Sequence, residues 1–157
     1  MLGDVLLINE LHKKAADSIY KTLLKDISNK KKGYRFIVAI SGESGAGKSE
    51  LSHSLALLLK KEGQRVKILH TDNYYKIPPN LRTQWRKDHG VKHVGTNEYD
   101  WKLLNRNIKE FKEGREALMP CIDIVSKQTD KLITDFSDID ILVVDGLYAI
   151  KLKTIDL

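Results

Sequence analysis

The sequence predicts an α/β fold: a doubly wound parallel sheet with helices on both faces, an extra N-terminal helix before it, and an end soon after its last strand. Three observations carry this. Short apolar runs at 36–40, 66–70 and 139–144 alternate with helical stretches, as parallel sheets require. A glycine-rich loop joins the first run to the next helix. An acid and a glycine, Asp145-Gly146, close the last run.

The elements follow in order. Residues 4–28 read as an amphipathic helix. Val5, Ile8, Leu11, Ala15, Ile19, Leu23 and Ile27 fall at three- and four-residue steps, with lysines between. The basic stretch 28–33 ends it at Gly33, so 1–33 form a helix and linker and 34–157 the main domain. Phe36 to Ile40 is β-branched and bounded by glycines, which suits a strand buried on both faces. Residues 47–62 form a helix with Leu51, Leu55, Leu58 and Leu59 inward, and Val66 to His70 the next strand. That order predicts a parallel pair with a right-handed crossover. Pro78-Pro79 breaks the chain, and 80–100 read as an irregular functional excursion. A helix spans 101–113. Two short strands are expected at 122–125 and 131–133, and Ile139 to Val144 is the strongest strand pattern of all.

Composition narrows the function. The chain has 157 residues, 41% hydrophobic and 31% charged, enough for one domain with a core. No apolar run approaches the ~20 residues of a membrane helix, and the N-terminus has no secretory pattern. The single cysteine, Cys121, excludes an internal disulfide and cysteine-based zinc fingers, and predicts a cytoplasmic setting. Net charge is +6, with the excess in the first 116 residues. Basic residues are not interleaved with aromatics in repeated clusters, so nucleic acid is not expected as a partner. A homo-oligomer is left open.

Gly42-Glu43-Ser44-Gly45-Ala46-Gly47-Lys48-Ser49 fits G-x-x-x-x-G-K-[ST] at every fixed position. Glycines let backbone N–H groups converge on a phosphate, and the following helix aims its positive end there. Lys48 is expected on the β- and γ-phosphates, and the Ser49 hydroxyl on Mg²⁺. Asp145, at the end of the last strand, is the second expected magnesium ligand. Together these make the sheet one of the P-loop nucleotide-binding type, with ATP as ligand. No N/T-K-x-D guanine motif is present; Ser126 to Asp130 has the wrong residues. The length suits a small kinase acting on a small-molecule alcohol. Such an enzyme needs a proton acceptor, and Asp72, just past the second strand, is placed for it.

Gly42–Ser49, Thr71-Asp72-Asn73-Tyr74-Tyr75-Lys76, Glu98-Tyr99-Asp100, Pro120 with Asp123, and Val143–Gly146 together resemble the uridine kinase and phosphoribulokinase family over residues 35–150. The resemblance implies a doubly wound α/β fold and Mg-ATP-dependent phosphorylation of a nucleoside or sugar hydroxyl. It implies Asp72 as catalytic base and Tyr75 and Tyr99 along the acceptor site. Uridine kinases place a His-Pro pair where this chain has Gly95-Thr96, and a tyrosine where it has Ile122. Acceptors such as a pentose phosphate, pantothenate or glycerate therefore stay open, as does a nucleotide-binding regulatory module without turnover. The family continues with an arginine-rich lid and more strand–helix units. Nothing after Asp145 replaces them, so the chain is expected to be cut short and to bind nucleotide but transfer phosphate poorly. Arg82 and Arg86 are the arginines that could reach the site. Arg82, Arg86, Lys87 and Lys92 read equally as acceptor-phosphate ligands or solvated charge. His53 reads as surface, and His89 with His93 as a weak candidate metal pair.

Overall fold

The structure is a computed structural model, and it describes residues 1–29, 31 and 33–154. Lys30, Lys32 and the side chain of Lys153 lie outside the described residues. The elements are α1 (Glu10–Ser28), β1 (Phe36–Ser41), α2 (Lys48–Lys61), β2 (Val66–His70), α3 (Pro79–His89), α4 (Trp101–Lys112), β3 (Glu116–Asp123), β4 (Gln128–Asp135) and β5 (Ile141–Gly146).

The parallel sheet has the order β1-β5-β2. β1 and β2 are therefore not neighbours, as the strand–helix–strand order had suggested; the most apolar strand lies between them. Every residue of β5 is buried. Alternation splits it between two cores. Ile141 and Val143 join Ile40, Leu55 and Leu59 on the α2 side. Leu142 and Val144 join Leu69, Leu104, Ile108, Phe111 and Phe136 on the α4 side. Helices cover both faces, so the fold is α/β and doubly wound.

Five expectations need correction. The first helix starts at Glu10, not residue 4. Asn9 caps it, accepting from the Leu11 and His12 N–H groups, while His12 Nδ1 accepts from Asn9 N–H. Ahead of it the chain is tied to β3: Leu2 N–H donates to Ile122 O, and Ile124 N–H to Leu2 O. The packed face of α1 is also turned from the expected one. Ala16 is buried with Ile19, Tyr20, Leu23 and Ile27 against it, whereas Val5, Leu11 and Ala15 are exposed. This face lies on α2 rather than directly on the sheet.

The 80–100 stretch is not irregular. Pro79 occupies the first position of α3, where its missing N–H costs nothing, so the proline pair starts a helix. Short helical turns follow at Val91–His93 and Thr96–Glu98. The two short strands are instead the eight-residue arms of an antiparallel hairpin, β3 and β4, paired from Glu116↔Asp135 to Asp123↔Gln128. β4 is exposed along most of its length, so it shows no apolar alternation to read. His53 is half-buried, not fully exposed.

Candidate active site

The loop 42–47 leaves the carboxyl end of β1 and enters α2. Gly45 and Gly47 both have φ of 77°, a left-handed conformation open to glycine without strain. Lys48 folds back over the loop, its stem 3.6 Å from where a side chain on Gly42 would start. Its ammonium donates to Glu43 O at 2.6 Å. Loop residues Gly45 to Ser49 line a cavity of about 530 Å³ at the start of α2.

Asp145 comes to the same edge. It is paired across the sheet with Ile40 on one side and His70 on the other. His70 was not singled out from the sequence, because its role depends on β2 lying beside β5. Its Nδ1–H donates to Asp145 Oδ1 at 2.7 Å. Asp145 Oδ2 is buried without a hydrogen-bond partner, as is the neighbouring Thr71 Oγ1. An unpaired hard oxygen in this position is the observation a magnesium ion or its bound water would satisfy, with the Ser49 hydroxyl as a second hard donor. Gly146 is fixed by packing. A Cβ there would run into the Thr71 side chain, and its φ is 148°.

Past β2, residues 71–76 run antiparallel to 98–100. Lys76 N–H donates to Glu98 O and Asp100 N–H to Tyr74 O, with Tyr75 opposite Tyr99. Asn73 Oδ1 accepts from Ile122 N–H, which ties the segment to β3. Tyr74 donates to Asn107 Oδ1 in the core. Asp72 Oδ1 accepts from the Tyr99 hydroxyl at 3.1 Å. Tyr99 is fully buried. Burial, then Tyr75 and Asp72, push its hydroxyl far above the ordinary phenol range. Tyr75 lies 4.2 Å from it, ring to ring.

Asp72, Arg82, Ile122 and Lys127 line a second cavity, of about 310 Å³. The Arg82 guanidinium stands 3.7 Å over the Tyr75 ring and donates to Ile77 O. Arg86 is committed elsewhere. It grips the buried Glu98 through two bonds, of 2.7 and 2.9 Å, and Glu98 also accepts from Gly95 N–H. Arg86 first, then the Gly95 N–H, holds the Glu98 carboxyl below its usual range against the effect of burial. Of the two arginines expected to reach the site, only Arg82 lines a cavity with Asp72. Arg65 is at the opposite edge of the sheet, paired with Asp138 and Asp140.

The His89 and His93 rings stand edge to face, their centres 6.2 Å apart. His89 stacks on Trp85 and its Nδ1–H donates to Trp85 O. Among the described residues no group of three or more metal-binding side chains occurs. A larger cavity, about 940 Å³, lies between α4 and the hairpin. None of the residues expected to act in catalysis lines it, so size does not locate the site here.

The model of the phosphoribulokinase / uridine kinase family matches residues 37–156. The chain belongs to that family. A uridine kinase of Staphylococcus aureus is 30% identical over 119 residues, which cover 76% of this chain and 56% of that protein. The family member described here thus spans little more than half the length of such relatives. A structure described as a possible uridine kinase from Bacillus stearothermophilus superposes with a TM-score of 0.65 at 21% identity, covering 85% of this chain and 70% of that one. A D-glycerate 3-kinase from Cryptococcus neoformans superposes with a TM-score of 0.59 at 17% identity, covering 89% and 53%. These superpositions show the kinase fold. Among the described residues no helix is long and apolar enough to cross a membrane.

Proposed function

We propose that the chain is the nucleotide- and acceptor-binding part of a Mg-ATP-dependent kinase that phosphorylates a hydroxyl group on a small molecule. One observation carries this reading. The phosphate loop, Asp145 and Asp72 follow three parallel strands at one carboxyl edge of the sheet, and Asp72 opens on its own cavity. The backbone of Gly42, Glu43, Ser44, Gly45, Ala46 and Gly47 and the Lys48 ammonium bind the nucleotide phosphates. Ser49 and Asp145 hold Mg²⁺, which when bound neutralises the phosphate oxygens. Asp72 accepts the proton of the attacking hydroxyl. Tyr99 and Tyr75, expected along the acceptor site, do not line the cavity that holds Asp72: Tyr99 is fully buried and orients Asp72 from inside the core, and Tyr75 holds Arg82 at the acceptor wall.

A more specific acceptor reading rests on charge. Arg82 and Lys127 both line the cavity that holds Asp72. Two cations beside the base favour an alcohol bearing phosphate or carboxylate, a pentose phosphate or a glycerate, over a neutral nucleoside. The test is ADP release with Mg-ATP and a panel of nucleosides, pentose phosphates, pantothenate and glycerate. Turnover stimulated by an anionic acceptor supports both parts of the reading. Stimulation by uridine alone overturns the second. ATP binding with no stimulation by any acceptor, both in this chain and in a longer chain that adds an arginine-rich lid, means a nucleotide-binding module.

A further inference from the structure

The segment ahead of β1 lies outside the family match, which begins at residue 37. It nevertheless reaches the phosphate loop. His12 sits one helical turn before Ala16, on the face of α1 that packs against α2. An apolar residue would be expected at that position. Its imidazole instead rests on Gly47, with Nε2 2.7 Å from where a side chain on that glycine would begin. The other ring nitrogen is engaged, since Nδ1 accepts from Asn9 N–H at 3.2 Å. In the neutral ring that leaves the proton on Nε2, the nitrogen beside the loop. The Leu11 and His12 N–H groups at the start of α1 are already taken by Asn9. The donor offered here is therefore the side chain and not the helix end.

The cavity agrees. His12, Leu6 and Leu7 form one wall of the 530 Å³ space, and Gly47, Lys48 and Ser49 form the other. Backbone N–H groups at this part of such a loop cradle the α- and β-phosphates. Two carboxylates line the same space, Asp4 on the wall that holds His12 and Glu50 on the wall formed by the loop and α2.

We propose that His12 is a further nucleotide-binding residue, donating from Nε2–H to a phosphate oxygen held at Gly47–Ser49, and that the N-terminal segment is the second wall of the nucleotide site. This rests on the nucleotide reading of the loop. The segment thus contributes to binding instead of only covering α2.

The test uses the full chain and calorimetric titration with Mg-ATP and Mg-ADP. His12→Glu keeps the acceptor that Asn9 N–H needs, because glutamate is a normal partner at this capping position. It also sets a negative charge against the phosphates. Affinity should fall about tenfold or more with no loss of thermal stability. His12→Gln, which can accept from Asn9 and still donate, should bind within about threefold of the unmodified chain. In the unmodified chain, the His12 Nε2 resonance should shift on adding Mg-ADP. Unchanged or tighter binding by His12→Glu, or a His12 resonance that ignores Mg-ADP, overturns the proposal. Lys48→Ala separates the two levels. Binding that Lys48→Ala weakens and His12→Glu leaves alone defeats this inference only. No binding by the unmodified chain defeats the nucleotide reading, and this inference with it.

Discussion

Lys48 spends its charge on the loop's own carbonyl at Glu43, so a phosphate has only that one bond to displace. Lys48→Ala should weaken Mg-ATP binding about 10- to 100-fold, the worth of a charge-assisted hydrogen bond, as read by calorimetry. Asp72 differs in kind. It faces its own cavity and accepts from Tyr99, so Asp72→Asn should leave ATP affinity nearly intact. With the true acceptor, turnover should fall by roughly 10²–10⁴, the usual contribution of a positioned base. Near-normal kcat in Asp72→Asn would make the residue structural. Gly146 is the third informative position. Thr71 fills the space a Cβ needs, and Thr71 is buried and β-branched, so it cannot swing aside. Gly146→Ala should destabilise by about 1–3 kcal/mol in urea unfolding and disturb Asp145 with it.

Glu98 shows how elements are held together at the site. Its backbone carbonyl accepts from Lys76 and its carboxylate from Arg86 and Gly95, so one residue ties α3, the 95–98 turn and the 71–76 segment. Glu98→Gln should cost about 1.5–3 kcal/mol by denaturant midpoint. Because the folded carboxyl titrates below its usual range, that contribution is present above the ordinary carboxylate pKa and is lost as pH falls through the folded value. The gap between Glu98→Gln and the unmodified chain should therefore narrow below about pH 4. A gap that stays constant as pH is lowered further, through the folded value, would show the pair is not the source. Some of these elements were legible and some were not. β5 announces itself because a strand covered on both faces must be apolar throughout, while β1 and β2, largely half-buried, still show as short runs rich in β-branched residues. The loop and Asp145 could be read because their chemistry fixes residue type and spacing. α3 was hidden by Pro78-Pro79, which stops one structure and starts another. β4 was hidden by exposure. The Arg86–Glu98 and His70–Asp145 pairs join residues 12 and 75 apart. Only the packing of α3 and the placement of β5 beside β2 bring them together, and no local pattern encodes either.

At the scale of the molecule, the sheet separates two cores, and the tyrosines that shape the site all sit on the α4 side. Tyr74 and Tyr99 are fully buried there, with Tyr75 packed against them. Burial pushes all three hydroxyls above the ordinary phenol value, most of all Tyr74 and Tyr99. The consequence for stability follows from proton counting. Above about pH 10 an unfolded chain releases these phenolic protons while the folded chain keeps them. The unfolded state then holds fewer protons, so unfolding becomes more favourable as pH rises. The stabilisation these tyrosines give is thus complete below about pH 10 and drains away as pH climbs toward the folded values. Thermal midpoints measured from neutral pH upward should be level and then fall steeply past that point, together with the absorbance change of phenolate. Tyr74→Phe removes one such proton but leaves Asn107 Oδ1 without the hydroxyl that donates to it. That variant should be less stable at neutral pH by about 1–3 kcal/mol and should lose stability less steeply in alkali. Identical alkaline slopes for Tyr74→Phe and the unmodified chain would mean that Tyr74 is not a source of the alkaline loss of stability.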